Sequence, residues 1–406
     1  MYSYKIGISA EDHDRFAIAS DQTNLLQSAS WAKIKDNWAN ERVGIYENDQ
    51  LVAVASLLYQ PLPMGFTIVY IPRGPIMDYT NGDLVNYTLT TLRTLARQKR
   101  ALFIKFDPAI LLRDSKVNEV ATENPDAQLI IGNLQAAGCE WVGETTDIAE
   151  NIQPRYQANL YAADYAFDNL PKKTKQNIKT ARNKGVQVQF GGSELLEDFA
   201  DLMKKTEARK GISLRGLDYY QKLLATYPDQ SYVTMATLNL KERAELLDQQ
   251  LQKAIAEKAT FTENTRKNKV ENNQKEIDRL TEEIKFLKGK QSKTKRDIVP
   301  LAATISLEFG DTSENIYAGM DDDYKHYQPA ILTWYETAAH AFKRGSRWQN
   351  MGGIENQMDG GLYQFKSKFD PTIEEFIGEF NLPVNSLLYK LSNTAYTIRK
   401  KLRSKH

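Results

Sequence analysis

The sequence predicts an α/β protein built as two similar halves, with a helical arm set into the second. Three observations carry this. Helical and strand patterns alternate through residues 1–150, the alternation starts afresh near residue 151, and residues 240–298 follow a helical spacing unlike their surroundings. A length of 406 residues suits two or three domains, and an apolar content of 41% is enough to bury them.

In the first half, Asn24 to Trp38 reads as a helix with Leu26, Trp31, Ile34 and Trp38 as its apolar points. Gly44 to Tyr46 and Leu51 to Tyr59 read as paired strands across the turn Glu47 to Gln50. Thr67 to Ile71 is a strand stopped by Pro72, Asp83 to Lys99 a helix, and Ala101 to Phe106 a strand ending at Asp107 and Pro108. A carboxylate at a strand end, held extended by the next proline, faces either a turn or a cleft.

The second half opens with a strand at Gln157 to Tyr161, a helix from Pro171 to Asn183 and a strand from Val186 to Phe190. That helix and its end carry Lys172, Lys173, Lys175, Lys179, Arg182 and Lys184, with no acid from Pro171 through Ser193. Such one-sided charge fits the phosphates of a nucleic acid or a pyrophosphate; the competing reading is a solvated basic face. Leu195 to Arg209 and Tyr219 to Tyr227 are helical. After the arm come strands at Leu301 to Phe309 and Asn315 to Ala318, a helix at Gln328 to Arg344 and a strand at Trp348 to Gly352. Leu362 to Lys366 is an aromatic cluster with one lysine inside it, either snorkelling or placed in a site.

The arm shows two seams. Leu240, Ala244, Leu247, Leu251 and Ala254 form one, and Ile277, Leu280, Ile284 and Leu287 the other, separated by a polar interval at Thr260 to Asn273. Together they predict an antiparallel coiled-coil hairpin of some 20–25 residues per helix, roughly 30–38 Å long. The last helix, Asn385 to about Arg403, has an apolar stripe beside Lys390, Arg399, Lys400, Lys401, Arg403 and Lys405, with no acid. Its chemistry suits an anionic membrane surface; the alternative is a packed helix with a basic tail.

Composition narrows the function. The single Cys139 excludes an internal disulfide and a Cys-rich zinc site, and four histidines at no ligand spacing give no sign of a metal. Met1 to Lys5 lacks the apolar run of a signal peptide and no unbroken apolar span occurs, so a cytoplasmic protein is expected. With a net charge of +1, attraction to a polyanion must come from local patches.

Several stretches resemble one family. The Lys172 to Gly185 helix, the Asp107 strand end, Tyr70 to Pro75, Ile152 to Arg155, Tyr317 to Asp323, Gly352 to Glu355, Tyr363 to Phe369 and Pro371 to Glu375 are together similar to the FemA/FemX/MurM family of tRNA-dependent peptidoglycan peptidyltransferases. The resemblance implies two acetyltransferase-like domains, at 1–150 and at 151–239 with 299–384, a coiled-coil arm at 240–298 and a terminal basic helix at 385–406. It implies transfer of serine or alanine from aminoacyl-tRNA to the stem-peptide lysine of the lipid-linked precursor, lipid II, with no cofactor. Matched position by position, it gives Lys35, Arg215, Tyr219, Tyr317 and Phe365 as substrate-binding residues and Asp107 and Lys366 as catalytic ones. Two precursor-side tyrosines of the family are replaced by Leu102 and Asn315, which weighs against a UDP-linked acceptor. The chemistry implied is amine attack on an ester, in which Asp107 orients or deprotonates the ammonium and Lys366 supplies positive charge to the oxyanion. Two other readings remain: acetyl-CoA-dependent N-acetylation, whose pyrophosphate loop is matched only in part by Gln135 to Glu140, and a non-catalytic tRNA-binding protein.

Overall fold

The computed structural model describes residues 1–391, and the basic positions from Arg399 onward lie outside the described residues. Two sheets organise the chain. The first runs Tyr2–Ile6, Ala39–Glu47, Gln50–Pro61, Thr67–Ile71, Ala101–Phe106, Phe380–Pro383, Glu140–Trp141, with Ile76–Met77 paired to Gln50–Pro61. The second runs Gln187–Gly191, Ser231–Asn239, Ile298–Phe309, Thr312–Met320, Trp348–Gly353, Tyr156–Tyr161, Thr372–Phe376, Leu111–Lys116, Thr122–Glu123. Each is mostly antiparallel but holds a parallel pair: Thr67–Ile71 with Ala101–Phe106, and Thr312–Met320 with Trp348–Gly353. The second pair is bonded only from Thr312 to Glu314, beyond which the strands part and leave a gap in the sheet.

The sheets exchange strands across the limits drawn from sequence. Leu111–Lys116, from the first half, pairs with Thr372–Phe376, while Phe380–Pro383, from the second, pairs with Ala101–Phe106. Among the described residues three large apolar cores follow, beside a small cluster of Leu102, Phe103 and Tyr389. Helix Gly82–Gln98, capped by the Asn81 side chain, buries Leu84, Leu89, Leu92 and Leu95 against the first sheet. Helices Leu196–Lys210 and Leu217–Thr226 pack with Trp31, Ile34 and Leu58 in a core that joins the halves. Helices Pro329–Lys343 and Lys172–Asn183 cover the other face of the second sheet.

Asn24 to Trp38 is not one helix. It divides into a 3₁₀ turn, Leu25–Gln27, and a short helix, Trp31–Ile34. Local polar side chains win over the apolar spacing: Asn24 accepts from Leu26 N, Ser28 Oγ accepts from Trp31 N, and the Gln27 amide bonds Pro72 O and Ser56 N. A Cβ at Gly74 would lie 2.6 Å from that amide, so the turn and the Pro72–Pro75 loop are built against each other.

The arm consists of helices Leu240–Ala259 and Lys267–Thr294. They run antiparallel, since Asn273 donates to Ala254 O and Lys269 pairs with Glu257 at 3.0 Å. The second helix starts inside the polar interval between the two seams and, at 28 residues, spans about 42 Å, longer than the 20–25 residues expected. Its first turns carry no apolar seam; the Lys267–Glu271 pair and the Asn273 bond take its place. At the base, Leu280, Ile284 and Leu287 join the core of the second sheet.

Candidate active site

Asp107 ends strand Ala101–Phe106 and is 1% exposed. Both carboxylate oxygens are engaged: Tyr70 OH donates to Oδ2 at 2.9 Å and Arg73 N to Oδ1 at 2.7 Å. Burial pushes its pKa up to about 6, against the pull of the Arg73 guanidinium and these donors.

Lys366 ends the short helix Gly361–Lys366 and is 5% exposed. Its Nζ donates to Gly353 O at 2.7 Å and lies 6.0 Å from the Trp334 ring centre. Burial lowers its pKa to about 7, although Glu355 favours the charged form. Glu355 in turn accepts from Leu362 N and Tyr363 N at 3.0 Å, fixing the helix start that aims Phe365 and Lys366. Lys366, Phe365, Tyr317 and Trp334 line a cleft of about 690 Å³ that opens where the parallel strands part. Asn315 lines it too, and its buried Nδ2 has no partner in the fold.

Lys35, Arg215 and Tyr219 gather beside this cleft. Lys35 follows the helix Trp31–Ile34, and its pKa is lowered by burial and then by Arg215 and Lys222. The Arg215 guanidinium lies 5.2 Å from the Tyr219 ring, and Tyr219 meets Tyr317 edge to face at 6.0 Å. Tyr317 therefore touches the cationic cluster on one side and the cleft on the other.

The basic helix is divided in character. Lys172, Lys173 and Lys179 are exposed, the last over the Phe167 ring at 5.9 Å. Lys175 donates to Asp168 O, Arg182 pairs with Glu336 at 2.7 Å and Lys184 donates to His326 O. Gln135 to Glu140 lies at the C-terminal end of helix Ala127–Ala136, where the helix dipole disfavours phosphate, so it does not form a pyrophosphate cradle. Among the described residues no group of His, Cys, Asp and Glu is placed to hold a metal ion.

Tyr70, Arg73, Gln153 and Glu314 also belong to this region, although the sequence gives none of them a role of its own. Gln153 donates to Tyr70 OH at 3.1 Å, and the half-buried Glu314 accepts from Leu25 N, with burial raising its pKa to about 7. The visible signal was an arginine bracketed by prolines in Tyr70 to Pro75.

Comparison with known proteins agrees with this architecture. A lipid II:glycine glycyltransferase of Staphylococcus epidermidis is 26% identical over 405 residues, covering 95% of this chain and 94% of the relative. One from Staphylococcus aureus is 26% identical over 415 residues with the same coverage. The crystal structure of FemX superposes with a TM-score of 0.74 at 24% identity, covering 96% of this chain and 99% of that one, which extends the likeness to the fold. Residues 8–397 match the FemAB family, and the chain belongs to that family.

Proposed function

We propose that the protein is an aminoacyltransferase that moves serine or alanine from aminoacyl-tRNA to the stem-peptide lysine of lipid II, building branched cross-bridges. The observation that carries the reading is the Tyr219–Tyr317 contact, which joins the Lys35 and Arg215 cluster to the cleft lined by Lys366. An acceptor held by its phosphates at the cluster presents its amine to an ester lying in the cleft.

The acceptor ε-amine has a pKa near 10.4 and reaches the site as an ammonium. It must lose a proton before its lone pair can attack. Asp107 is buried and does not line the cleft, so its proposed part is to take that proton by way of the Tyr70 hydroxyl that bonds it; raised to about 6, it is a better acceptor than an ordinary carboxylate. The nitrogen attacks the ester carbonyl and forms the C–N bond. Charge gathers on the carbonyl oxygen, where protonated Lys366 stabilises it. The C–O bond then breaks, and the ribose oxygen leaves with a proton from the amine. The amine replaces the ribose oxygen directly, so no acyl-enzyme intermediate is required.

Exposed Lys172, Lys173 and Lys179, together with the arm, are the proposed contacts to tRNA. Residues 385–406 are the proposed attachment to the anionic inner face of the cell membrane. In support of that orientation, Leu387 and Leu391 are 70% and 58% exposed, and Arg97 and Arg100 line a neighbouring hollow with Leu388. The test is transfer of labelled amino acid from seryl-, alanyl- and glycyl-tRNA to lipid-linked and UDP-linked precursor. Serine or alanine on the lipid-linked precursor alone is the expected result. Preference for glycine, for which the relatives are named, overturns the donor assignment, and equal use of both acceptors overturns the acceptor assignment.

A further inference from the structure

We propose that Arg73 is a positioning residue that sets the reach between Asp107 and Lys366 across the two halves of the protein, a role that rests on the transferase reading above. Arg73 belongs to the segment Tyr70 to Pro75, is 2% exposed and adopts φ +51°. Its main chain and side chain act in different directions. The backbone N donates to Asp107 Oδ1 at 2.7 Å, while Nη2 donates to Pro154 O at 2.7 Å and the guanidinium lies 4.2 Å from the Phe376 ring centre.

A second path joins the same two places. Tyr70 OH donates to Asp107 Oδ2, and Gln153 Nε2 donates to that hydroxyl. Asp107, Arg73, Pro154, Gln153 and Tyr70 thus form a closed ring, with Asp107 at one end and the Gln153–Pro154 peptide at the other. Pro154 lies against Gly353, where no Cβ would fit, and Gly353 O receives Lys366 Nζ. A movement of Arg73 is therefore passed to both catalytic candidates.

The charge distribution agrees with this placement. Arg73 is the cation that favours ionisation of Asp107, Glu314 and Glu374, all of which burial pushes the other way. The titratable groups facing Asp107 are Tyr70, Tyr79, Arg73 and Glu379. Losing the guanidinium leaves Glu379 as the charged neighbour, which moves Asp107 further up.

The test compares wild type with Arg73→Lys, Arg73→Met and Gln153→Ala in transfer from aminoacyl-tRNA to lipid-linked precursor across pH 5–9. Arg73→Lys keeps a charge but loses the planar reach to Pro154; the expected result is a fall in kcat of about tenfold or more, with both KM values within about threefold. Arg73→Met is expected to lose kcat as well and to move the acid limb of kcat/KM up by about one pH unit. Gln153→Ala removes one side of the ring at a half-buried position, and about a threefold to tenfold loss of kcat with unchanged KM is expected even if Arg73→Met does not fold. Folded Arg73→Lys and Gln153→Ala with wild-type kcat overturn the inference, as does a loss confined to KM. An inactive wild type, by contrast, overturns the transferase reading itself.

Discussion

Lys366→Met separates catalysis from folding because the two effects have opposite signs. Lys366 is buried, and its Nζ donates to Gly353 O and faces the Trp334 ring and Glu355. If its charge stabilises the developing oxyanion, methionine lowers kcat by about 10²–10³, or roughly 3–4 kcal/mol. Stability moves the other way. The drop in pKa from 10.5 to about 7 corresponds to a penalty on the order of 5 kcal/mol for keeping the ammonium buried below pH 7. Losing the bond to Gly353 returns about 1–3 kcal/mol, so the variant is expected to gain about 2–4 kcal/mol there. The pH dependence fixes the sign. The unfolded chain keeps this proton up to about pH 10.4, while the folded chain releases it near 7, so wild-type stability rises with pH between those values. The advantage of the variant therefore shrinks over the same range. Denaturant unfolding at pH 6, 8 and 10, beside single-turnover transfer, measures both effects. A variant with kcat within about threefold of wild type refutes the role of the charge, and a stability difference independent of pH refutes the assignment of the buried ammonium.

Four further outcomes follow from the site. The free enzyme should show a kcat/KM profile that rises through about pH 6, as Asp107 ionises, and falls above about pH 7, as Lys366 loses its proton; a flat profile from pH 5 to 9 contradicts both assignments. Asp107→Asn should reduce kcat by about 10²–10⁴ and remove the acid limb. It should also stabilise the fold at pH 7 by up to about 3 kcal/mol, an advantage that disappears toward pH 4, because the folded wild type holds that proton to about pH 6 and the unfolded chain only to about 3.9; equal melting curves at both pH values argue against it. Arg215→Ala should raise KM for the lipid-linked acceptor by about tenfold and leave KM for aminoacyl-tRNA unchanged, as steady-state kinetics with each substrate varied will tell. Replacing Lys172, Lys173 and Lys179 with glutamine should reduce the slope of log affinity for tRNA against log salt by about 2–3, and an unchanged slope removes this helix from the interface.

Where one face of an element carries its own signal, the sequence was legible. Leu240, Ala244 and Leu247, with Leu280, Ile284 and Leu287, spell out the helical pair, and strand Ala101–Phe106 appears with its expected ends. The segment Asn24 to Trp38 misled because its apolar spacing is helical while Asn24, Gln27 and Ser28 bond to the backbone instead. Strand exchange was invisible for a different reason. Nothing within Leu111–Lys116 or Phe380–Pro383 says which sheet will receive it, since pairing is decided by partners more than 200 residues away. The site divides the same way. Lys366 and Asp107 stood out as a lysine among aromatics and an acid before a proline, and the family resemblance supplied Lys35, Arg215, Tyr219 and Tyr317. Arg73 was hidden because its importance lies in two directions of contact, one through its main chain and one through its side chain.

The most direct measurement is tandem mass spectrometry of lipid-linked precursor after incubation with the protein and seryl- or alanyl-tRNA. The expected result is a mass gain of one seryl or alanyl residue, located by fragmentation on the ε-nitrogen of the stem-peptide lysine and absent with Lys366→Met. An unmodified precursor, or a residue attached at another position, contradicts it.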